Sequence, residues 1–491
     1  MNEHYLPENI ENIVLVTVDC LRRDHLEFYG YNNRTMPRLA IEARGGLIVE
    51  EAHTNSPFTR SSLPSLFTSS YPLEGSLPYS IRGRPVTIYS LLKERGYNTA
   101  GFSADLFLPP VLEYGKGFDH YWTPTLGRSG RSIKDRLVSG VLFRIGRSSL
   151  RFFLKYQGLL ERATTLPILR DIAYSLTNTV SPYPPAEIPT TKAVEWIRRN
   201  KSDPFFLWIH YMDVHNPYLV GGDLRRTGRF SHFLMEQYLT NSSQEEYEKR
   251  GRISLKDDTR SFISALREVY DERIGRVDAS IGKLIDVIRE EGIDKETVFI
   301  LTSDHGQGFL EHGFYSHGAY FYEEILRVPL LIVPLGGVMG WKRLGGYRSH
   351  VDVPPTILSL LGERKEVGYR GKDIIGEPSS GVVYAEALHN QEGRPLSASG
   401  QEEVRVTFGV KKESRKYIVQ YRGSNVLWEE LFDLASDPEE EMDLSEDESH
   451  RQELNELRSE VLSHIRLIGF DLEGIERRYK SIIENNSQRR L

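Results

Sequence analysis

Residues 303–318, SDHGQGFLEHGFYSHG, concentrate the side-chain types that bind metal ions. They are Asp304, His305, Glu311, His312 and His317. Carboxylate oxygen combined with imidazole nitrogen suits Mn²⁺, Zn²⁺, Mg²⁺ or Ca²⁺. Asp304 and His305 directly follow an apolar run, and neighbouring glycines allow the backbone a close approach, so we predict that both bind a metal. For Glu311 and His312 we expect supporting or structural roles.

A further acid, Asp19, ends the apolar run NIVLVTVD at residues 12–19. At the end of a buried strand, its carboxylate could complete a ligand set with Asp304 and His305. The alternative is that Asp19 caps a helix that begins in DCLRRDHL. Cys20, the residue after it, is expected to be a small buried apolar side chain.

Hydroxyl groups cluster in residues 56–72, SPFTRSSLPSLFTSSYP. A metal ion beside a hydroxyl lowers its pKa and creates a nucleophile for attack at phosphorus or sulfur. The residue types alone leave five candidates open. They are Ser56, Thr59, Ser61, Ser62 and Ser65.

The elements around these residues alternate between strand and helix. Buried strands are predicted at residues 12–19, 204–213, 297–306 and 328–334, and helices at 86–97, 190–200 and 269–292. This alternation predicts an α/β fold with a mostly parallel central sheet flanked by helices. In such sheets the site lies beyond the carboxyl ends of the strands, and three of the runs end in or contain Asp19, Asp213 and Asp304.

The segment HYMDVH, residues 210–215, carries Asp213 and His215 two positions apart. On an extended segment such residues face the same side, so we predict that both reach the site. Local hydrogen bonding of either side chain is the alternative.

Two regions depart from the alternating pattern. Residues 127–185 form a predicted basic helical insertion, which is either a cap with a solvated basic face over the substrate entrance or a contact with an anionic membrane. After about residue 380 the pattern changes to short antiparallel strands, then an acidic helix at 449–467. We therefore predict a catalytic α/β domain at 1–380 and a smaller α+β subdomain at 381–491.

Composition limits the function classes. The 491 residues carry a net charge of −7, which argues against a nucleic-acid-binding protein. A single cysteine excludes an intramolecular disulfide and favours a reducing compartment. Neither a signal peptide nor a spanning segment is predicted, so we expect a cytoplasmic protein.

Taken together, the motifs resemble the sulfatase branch of the alkaline phosphatase superfamily over about residues 11–445. The matching stretches, in order, are NIVLVTVDCLRRDHLEFYGY, SPFTRSSLPSLFTSSYP, LLKERGYNTAGF, YGKGFDHYW, HYMDVHNPY, TSDHGQGFLEHGFYSHGAYFYEEILRVPLLI, HVDVPPTILSLLG and LFDLASDPEEEMDL. The resemblance implies an alkaline-phosphatase-like sheet and an ester-cleaving activity.

The resemblance also implies roles for individual residues. Counting back nine positions from Thr68 places the family nucleophile at Thr59. Family metal ligands fall on Asp19, Asp304 and His305. His215 falls on the substrate-facing histidine, and His317 falls where many sulfatases have a lysine touching the transferred group.

This chain departs from the strict sulfatase pattern at the nucleophile. The pattern C/S-x-P-x-R is replaced by Thr59, with Ser61 at the first proline and Leu63 at the arginine. Threonine cannot be oxidised to formylglycine, so that cofactor is not expected, and the chain resembles the members that use threonine and transfer or hydrolyse phosphoryl groups. Arg60 is the candidate replacement for the missing positive charge, unless its side chain points away.

The sequence therefore predicts a metal-dependent hydrolase that cleaves a phosphate or sulfate ester through a covalent Thr59 intermediate. One divalent ion (Ca, Mn, Mg or Zn) is assigned to Asp19, Thr59, Asp304 and His305. The catalytic residues are Thr59, His215 and His317, and Arg60 and Asp213 bind substrate. Two alternatives stay open, a phosphotransferase that modifies a glycan or lipid and a non-catalytic binding protein. The ester is a small molecule, glycan or lipid, and the sequence leaves the oligomeric state open.

Overall fold

The structure of the protein is a computed structural model. It describes residues 10–75, 79–105, 108, 113–124, 183–218, 236, 239, 257–337, 342–390 and 403–475. All but the last three residues of the predicted basic insertion, 127–185, lie outside these ranges, so the choice between cap and membrane contact stays a prediction. Among the described helices, none combines the length and the apolar character needed to cross a membrane.

The central sheet has eight strands. They are β1 (Asn12–Val18), β2 (Leu47–His53), β3 (Asn98–Ser103), β4 (His120–Trp122), β5 (Phe205–Tyr211), β6 (Thr297–Thr302), β9 (Leu330–Pro334) and β10 (Lys342–Ser349). Between β6 and β9 lies a short hairpin, β7 (Gly308–Phe309) and β8 (Tyr315–Ser316). The strand order is β10-β2-β9-β6-β1-β5-β3-β4. Only β9 runs antiparallel to its neighbours in this sheet, which confirms the predicted mostly parallel arrangement.

The register of the three central strands brings the predicted site residues together. Thr17 of β1 pairs with His210 of β5 on one side and with Thr302 of β6 on the other. Because the three strands are parallel, their carboxyl ends meet at one edge of the sheet. Asp19 and Asp304, two residues beyond these pairs, therefore lie side by side.

Helices cover both faces of the sheet. They are α1 (Pro37–Ala43), α2 (Thr59–Thr68), α3 (Ile88–Glu94), α4 (Glu187–Asn200), α5 (Asp257–Glu290), α6 (Glu323–Leu326), α7 (Val353–Leu360) and α8 (Arg451–Leu467). Along β1, Val14 and Val16 belong to the core with α1, α4 and α5, whereas Ile13 and Leu15 belong to the core with α2, α3 and α7. This alternation follows from the period of two in a strand, and burial on both faces explains why β1 is apolar throughout.

A second sheet follows in the chain. It contains four antiparallel strands, β11 (Val382–His389), β12 (Arg405–Lys412), β13 (Arg415–Arg422) and β14 (Asn425–Asp433). Helix α8 packs on one face, and the other face contacts Phe58 and the segment around α6. The predicted strands and terminal helix are confirmed, with the helix starting at Arg451 after a short 3₁₀ turn. The division into domains at 1–380 and 381–491 stays a prediction.

Candidate active site

Thr59 is the first residue of α2, at the edge of the sheet where β1 and β6 end. Phe58 before it is extended and packs in the core that the second sheet contributes to, which fixes the entry into the helix. Negative charge on Thr59 Oγ1 is favoured here because the partial positive charge of a helix lies at its N-terminus.

Two residues inside α2 fix its position. Pro64 has no N–H to donate to the Arg60 carbonyl, and that carbonyl accepts a 2.5 Å hydrogen bond from the Tyr114 hydroxyl instead. Ser62 donates from Oγ to the Asp304 carbonyl at 2.7 Å. Ser62, one of the five candidate hydroxyls, therefore ties α2 to the end of β6.

The Thr59 hydroxyl lies between a carboxylate and an imidazole. Its Oγ1 is 3.3 Å from Asp19 Oδ2 and 3.2 Å from His305 Nε2. His305 presents that nitrogen because its Nδ1 is held 3.0 Å from the Gly306 carbonyl. Asp304 Oδ1 accepts hydrogen bonds from the backbone N–H of Cys20 and of His305. Both carboxylates are fully buried.

His210 of β5 lies at the candidate site, although the sequence analysis gave it no role. Its Nδ1 is 2.7 Å from Thr17 Oγ1, and its Nε2 faces Asp19 Oδ2 at 3.5 Å. The sequence pattern that could have indicated this position is a histidine inside an otherwise apolar strand, which lies next to the strand that ends in Asp19. Among the described residues, His210 Nε2 and Asp304 Oδ2 are buried without a hydrogen-bond partner.

These residues fit a divalent cation. Single donor atoms of Asp19, His210 and Asp304 lie within 4.8 Å of one another. Two buried carboxylates that face each other without a cation are costly, and the unpartnered atoms of His210 and Asp304 point to the missing ligand. Carboxylate oxygen and imidazole nitrogen are donors for Mn²⁺ and Zn²⁺ as well as for Mg²⁺ and Ca²⁺.

The electrostatics of the two acids agree with a cation site. Burial and the charge of Asp19 raise the pKa of Asp304. Burial also acts to raise the pKa of Asp19, but the nearby His215, His210 and His305 outweigh it and hold that pKa well below its usual range. Without further positive charge, ionisation is therefore favoured at Asp19 and disfavoured at Asp304.

His215 and His317 lie on the other side of Asp19. The centroid of the His317 ring is 4.4 Å from that of His305 and 5.0 Å from that of His215. Burial, together with the charges of these two imidazoles, lowers the pKa of His317 well below its usual range. His317 is therefore neutral at neutral pH and acts as a hydrogen-bonding group.

Cys20 is fully buried, as expected, but its sulfur faces polar groups. Cys20 Sγ donates to Asp19 Oδ1 at 2.9 Å and lies 3.5 Å from His317 Nδ1. Burial raises the pKa of the thiol, and the charges of Asp19 and Asp304 raise it further. The expectation of a purely apolar role missed this position, although adjacency to Asp19 in the chain was a usable signal.

The structure does not bring Asp213 into this group. Its Oδ1 accepts a hydrogen bond from the Ala186 N–H at the start of α4, and burial raises its pKa to about 6. Strand β5 ends at Tyr211, so the extended alternation that would have aligned Asp213 with His215 does not continue. A substrate contact by Asp213 stays a prediction.

Glu311 and His312 have structural partners. Glu311 Oε1 is paired with Arg22 at 2.5 Å and with Arg267 at 2.7 Å. His312 Nδ1 is 2.7 Å from Glu324 Oε1, and its ring stacks on Tyr322. These contacts agree with the supporting roles expected for the two residues.

Arg60 contributes positive charge on the same side as Asp19. Burial raises the pKa of the Tyr183 phenol and the charges of Asp105 and Asp19 raise it further, whereas Arg60 lowers it. Tyr183 also packs edge-on against His215, with ring centroids 5.4 Å apart. The charge of Arg60 thus acts on Tyr183, which packs against His215.

The chain is similar in sequence to proteins of a known family. The family model described as Sulfatase matches residues 11–363. Arylsulfatase K of Bos taurus is 27% identical over 282 residues, which cover 51% of this chain and 50% of that protein. The chain therefore matches about half the length of the bovine protein.

Two solved structures share the fold. A 2-O GAG sulfatase superimposes with a TM-score of 0.65 at 17% identity and covers 94% of this chain and 93% of that one. The phosphonate monoester hydrolase of Agrobacterium radiobacter gives a TM-score of 0.62 at 18% identity, with coverage of 93% and 96%. These likenesses confirm the predicted alkaline-phosphatase-like fold, with a large mostly parallel sheet and a small antiparallel one.

Proposed function

Because the chain belongs to the sulfatase family, we propose that it is a metal-dependent hydrolase that cleaves a phosphate or sulfate ester through a covalent Thr59 intermediate. The family membership confirms the predicted resemblance. The observation that carries the proposal is the placement of Thr59 Oγ1 at a helix N-terminus, in contact with both Asp19 and His305.

Asp19, Asp304 and His305 are the residues that would hold the cation. His305 Nε2 lies 3.5 Å from Asp304 Oδ2, and His210 forms a close group of donor atoms with the two acids. A divalent ion there supplies positive charge that favours ionisation of a neighbouring hydroxyl and offsets negative charge on the transferred group. The protein's own contribution is to keep these donors buried and fixed in orientation, through the contacts of His305 with Gly306 and of His210 with Thr17.

In the first step, Thr59 Oγ1 attacks phosphorus or sulfur, and the bond to the leaving oxygen breaks on the opposite side. Before attack the hydroxyl donates a hydrogen bond to Asp19 Oδ2, 3.3 Å away, and its proton is released to solvent when the group ionises. His215 donates a proton to the leaving oxygen, while neutral His317 donates a hydrogen bond to a non-bridging oxygen. Arg60 adds positive charge near the transferred group.

In the second step, water attacks the Thr59 ester at phosphorus or sulfur and gives a proton to His215, which the first step left unprotonated. Oγ1 leaves and regains its proton from solvent. A threonine ester has no geminal hydroxyl, so it cannot release the group by elimination from carbon as a formylglycine ester can. Turnover therefore requires a second displacement at the central atom. This requirement favours a phosphate ester over a sulfate ester as the substrate.

The substrate class follows from the same site. We propose a small-molecule, glycan or lipid ester, and the 2-O GAG sulfatase among the structural neighbours supports a glycan as one member of this class. A cytoplasmic location is proposed from the single cysteine, which favours a reducing compartment.

The test is an assay of phosphate monoesters, phosphate diesters and aryl sulfates with Mn²⁺, Zn²⁺, Mg²⁺ and Ca²⁺, using Thr59→Ala as the blank. We expect turnover of a phosphate ester and a fall of at least ~10³-fold in kcat for Thr59→Ala, with metal content and fold retained. Thr59→Ser keeps a hydroxyl and is the matched control, expected to retain part of the activity. Undiminished activity of Thr59→Ala would refute the proposal, and transfer of the group to an added alcohol would identify a transferase.

A further inference from the structure

A hydrogen bond connects the two segments that carry His215 and His317. Ser316 Oγ donates to Asn216 Oδ1 at 3.1 Å, and both residues are buried. Ser316 directly precedes His317 in the chain, and Asn216 directly follows His215. We propose that Ser316 and Asn216 are positioning residues, whose hydrogen bond fixes the two imidazoles relative to each other. The inference deepens the proposed function and rests on it for the roles of the two histidines.

The backbone at Ser316 has a conformation that suits glycine better than serine. Its φ of 74° lies in the left-handed region, which a side chain disfavours. Ser316 ends β8, and the hairpin of β8 with β7 is tight, because a Cβ at Gly308 would lie 2.9 Å from the Phe314 carbonyl oxygen. A serine at such a position indicates that its hydroxyl group is needed there.

The segment after β5 is anchored on both sides of His215 by Arg273 of α5. Arg273 Nη1 donates to the Asp213 carbonyl at 3.1 Å, and Nη2 donates to the Tyr218 carbonyl at 2.5 Å. Within this segment, His215 Nδ1 contacts the Asn216 carbonyl, which fixes the orientation of the ring. A shift of the Asn216 backbone would therefore move the imidazole of His215 with it.

A buried carboxylate joins the same two segments at a second point. Glu236 Oε1 accepts from the Tyr218 N–H at 2.7 Å and from the Tyr315 hydroxyl at 3.0 Å. Tyr218 lies two positions after Asn216, and Tyr315 lies one position before Ser316. All three residues of this second connection are buried. Two connections so close together limit the movement of one segment relative to the other.

The spacing of the two imidazoles matters for the proposed reaction. Their ring centroids are 5.0 Å apart, and the rings meet edge to face. In that reaction His215 protonates the leaving oxygen, while His317 donates a hydrogen bond to a non-bridging oxygen. Both oxygens are bonded to the same central atom, so the two imidazoles must match the geometry of one transferred group. A misplacement of about 1 Å can cost ~10²-fold in rate.

Loss of this hydrogen bond should have a kinetic signature that loss of stability lacks. A para-nitrophenolate leaving group departs without a proton, whereas an alkoxide requires one from His215. Displacement of His215 should therefore slow the cleavage of an alkyl ester more than that of a para-nitrophenyl ester. A variant that is merely less stable would lose both activities in equal proportion.

The experiment compares kcat for an alkyl ester and a para-nitrophenyl ester of the same phosphate class, in the metal-loaded full chain. Ser316→Gly removes the hydroxyl and keeps a residue that adopts the left-handed backbone freely. The ratio of kcat for the alkyl ester to kcat for the para-nitrophenyl ester should fall by at least ~10-fold in Ser316→Gly and in Asn216→Ala. Because either change removes the same hydrogen bond, the double variant should lower the ratio no further.

Ser424→Gly, in the exposed turn between β13 and β14, is the matched control and should leave the ratio unchanged. An unchanged ratio in Ser316→Gly would overturn the proposal, as would additive losses in the double variant. Circular dichroism of each variant checks that the fold is retained.

A second measurement does not depend on turnover. In protein with histidine labelled at Cε1, the NMR resonance of His215 is assigned through His215→Gln. Ser316→Gly should shift this resonance, although the two residues are far apart in the chain, and Ser424→Gly should not. An unshifted His215 resonance in Ser316→Gly would overturn the proposal. Undiminished activity of Thr59→Ala would refute the proposed function instead, and the resonance would still test the hydrogen bond.

Discussion

Two buried clusters of charged side chains lie within this molecule, and they differ in how their charges are compensated. The site cluster contains Asp19, His210, Asp304 and His305 around Thr59. The ion-pair cluster contains His53, Glu323, Lys411, Lys416 and Glu440, between α6 and the second sheet. Both clusters are almost completely removed from solvent.

The ion-pair cluster is closed within the protein. Lys411 Nζ is 2.8 Å and Lys416 Nζ is 2.9 Å from the two oxygens of Glu323, and Lys416 Nζ is 2.6 Å from Glu440. In the site cluster, two carboxylates face imidazoles, and the described residues offer no ammonium or guanidinium partner within it. Compensation by lysine thus distinguishes the ion-pair cluster from the site cluster, whose carboxylates have no such partner among the described residues.

The largest effect is expected from Asp304→Asn. This change removes a donor whose Oδ2 has no hydrogen-bond partner among the described residues, so metal content should fall and kcat should drop by at least ~10³-fold, since even an outer partner of a ligand is worth ~10–100-fold. In chelator-treated protein the same change should raise Tm, because burial and Asp19 raise the pKa of Asp304 and make its ionised form unfavourable. Metal analysis, kinetics and thermal unfolding measure the three quantities.

The two expected effects of Asp304→Asn have opposite signs: kcat falls, whereas the Tm of the chelator-treated protein rises. A lower Tm for chelated Asp304→Asn would show that the site cluster is compensated internally, and the contrast with the ion-pair cluster would fail. The matched control is Asn12→Asp, which changes the same pair of residue types at the opposite end of β1 and should leave metal content intact.

Glu323→Gln should destabilise the fold without loss of metal. The change leaves Lys411 and Lys416 buried with less negative charge, which costs about 3–5 kcal/mol when a buried pair is broken from one side. Denaturant unfolding measures the free energy, and metal analysis should give the wild-type stoichiometry. Asp286→Asn removes the exposed pair with Arg38 and should cost less than about 1 kcal/mol. If Glu323→Gln and Asp286→Asn lowered the free energy of unfolding equally, burial would not make the Glu323 ion pairs more important for stability than an exposed pair.

The sequence was sufficient for the parts of the fold that depend on local pattern. The continuous apolar runs of β1, β5, β6 and β9 predict buried strands of the central sheet, although β9 runs antiparallel to its neighbours. The ends of β1, β5 and β6 predict the location of the site. Asp304 and His305 were predicted from their residue types, with Asp19 as a further candidate, and Thr59 was selected by the family resemblance. The structure brings all four together.

Other features depend on contacts between distant segments and were not predictable. His210 acquires its position from the register of β5 on β1, and Cys20 from a left-handed backbone that hydrogen bonds to Asp304. Lys411 and Lys416 lie in strands whose pattern indicates only β structure, because their partner Glu323 is about 90 positions away in the chain. Asp213 lies beyond the end of β5 and hydrogen bonds to the start of α4, and its substrate contact stays a prediction.

The smallest effect is expected from His389, a buried residue of the second sheet. Like the charges of the ion-pair cluster, its polar atoms have partners within the protein. His389 Nδ1 is 2.8 Å from the Asn390 carbonyl and Nε2 is 2.8 Å from Thr407 Oγ1, and burial lowers its pKa to about 4. The unfolded chain binds a proton near pH 6.5 and the folded one does not, so stability is fully present above pH 6.5 and falls as the pH drops toward 4.

This loss should reach about 2 kcal/mol at pH 5 relative to pH 7.5, by the linkage of proton binding to folding. His389→Gln removes the titrating group, so its free energy of unfolding should decline less steeply over the same pH interval. Loss of a hydrogen bond can lower its stability at pH 7.5 without changing this slope. Urea unfolding at pH 7.5, 6 and 5 measures both slopes, and His450→Gln, at a partly exposed turn before α8, is the control. Parallel slopes for wild type and His389→Gln would mean that the buried imidazole is protonated in the fold, and that internal hydrogen bonding does not keep it neutral.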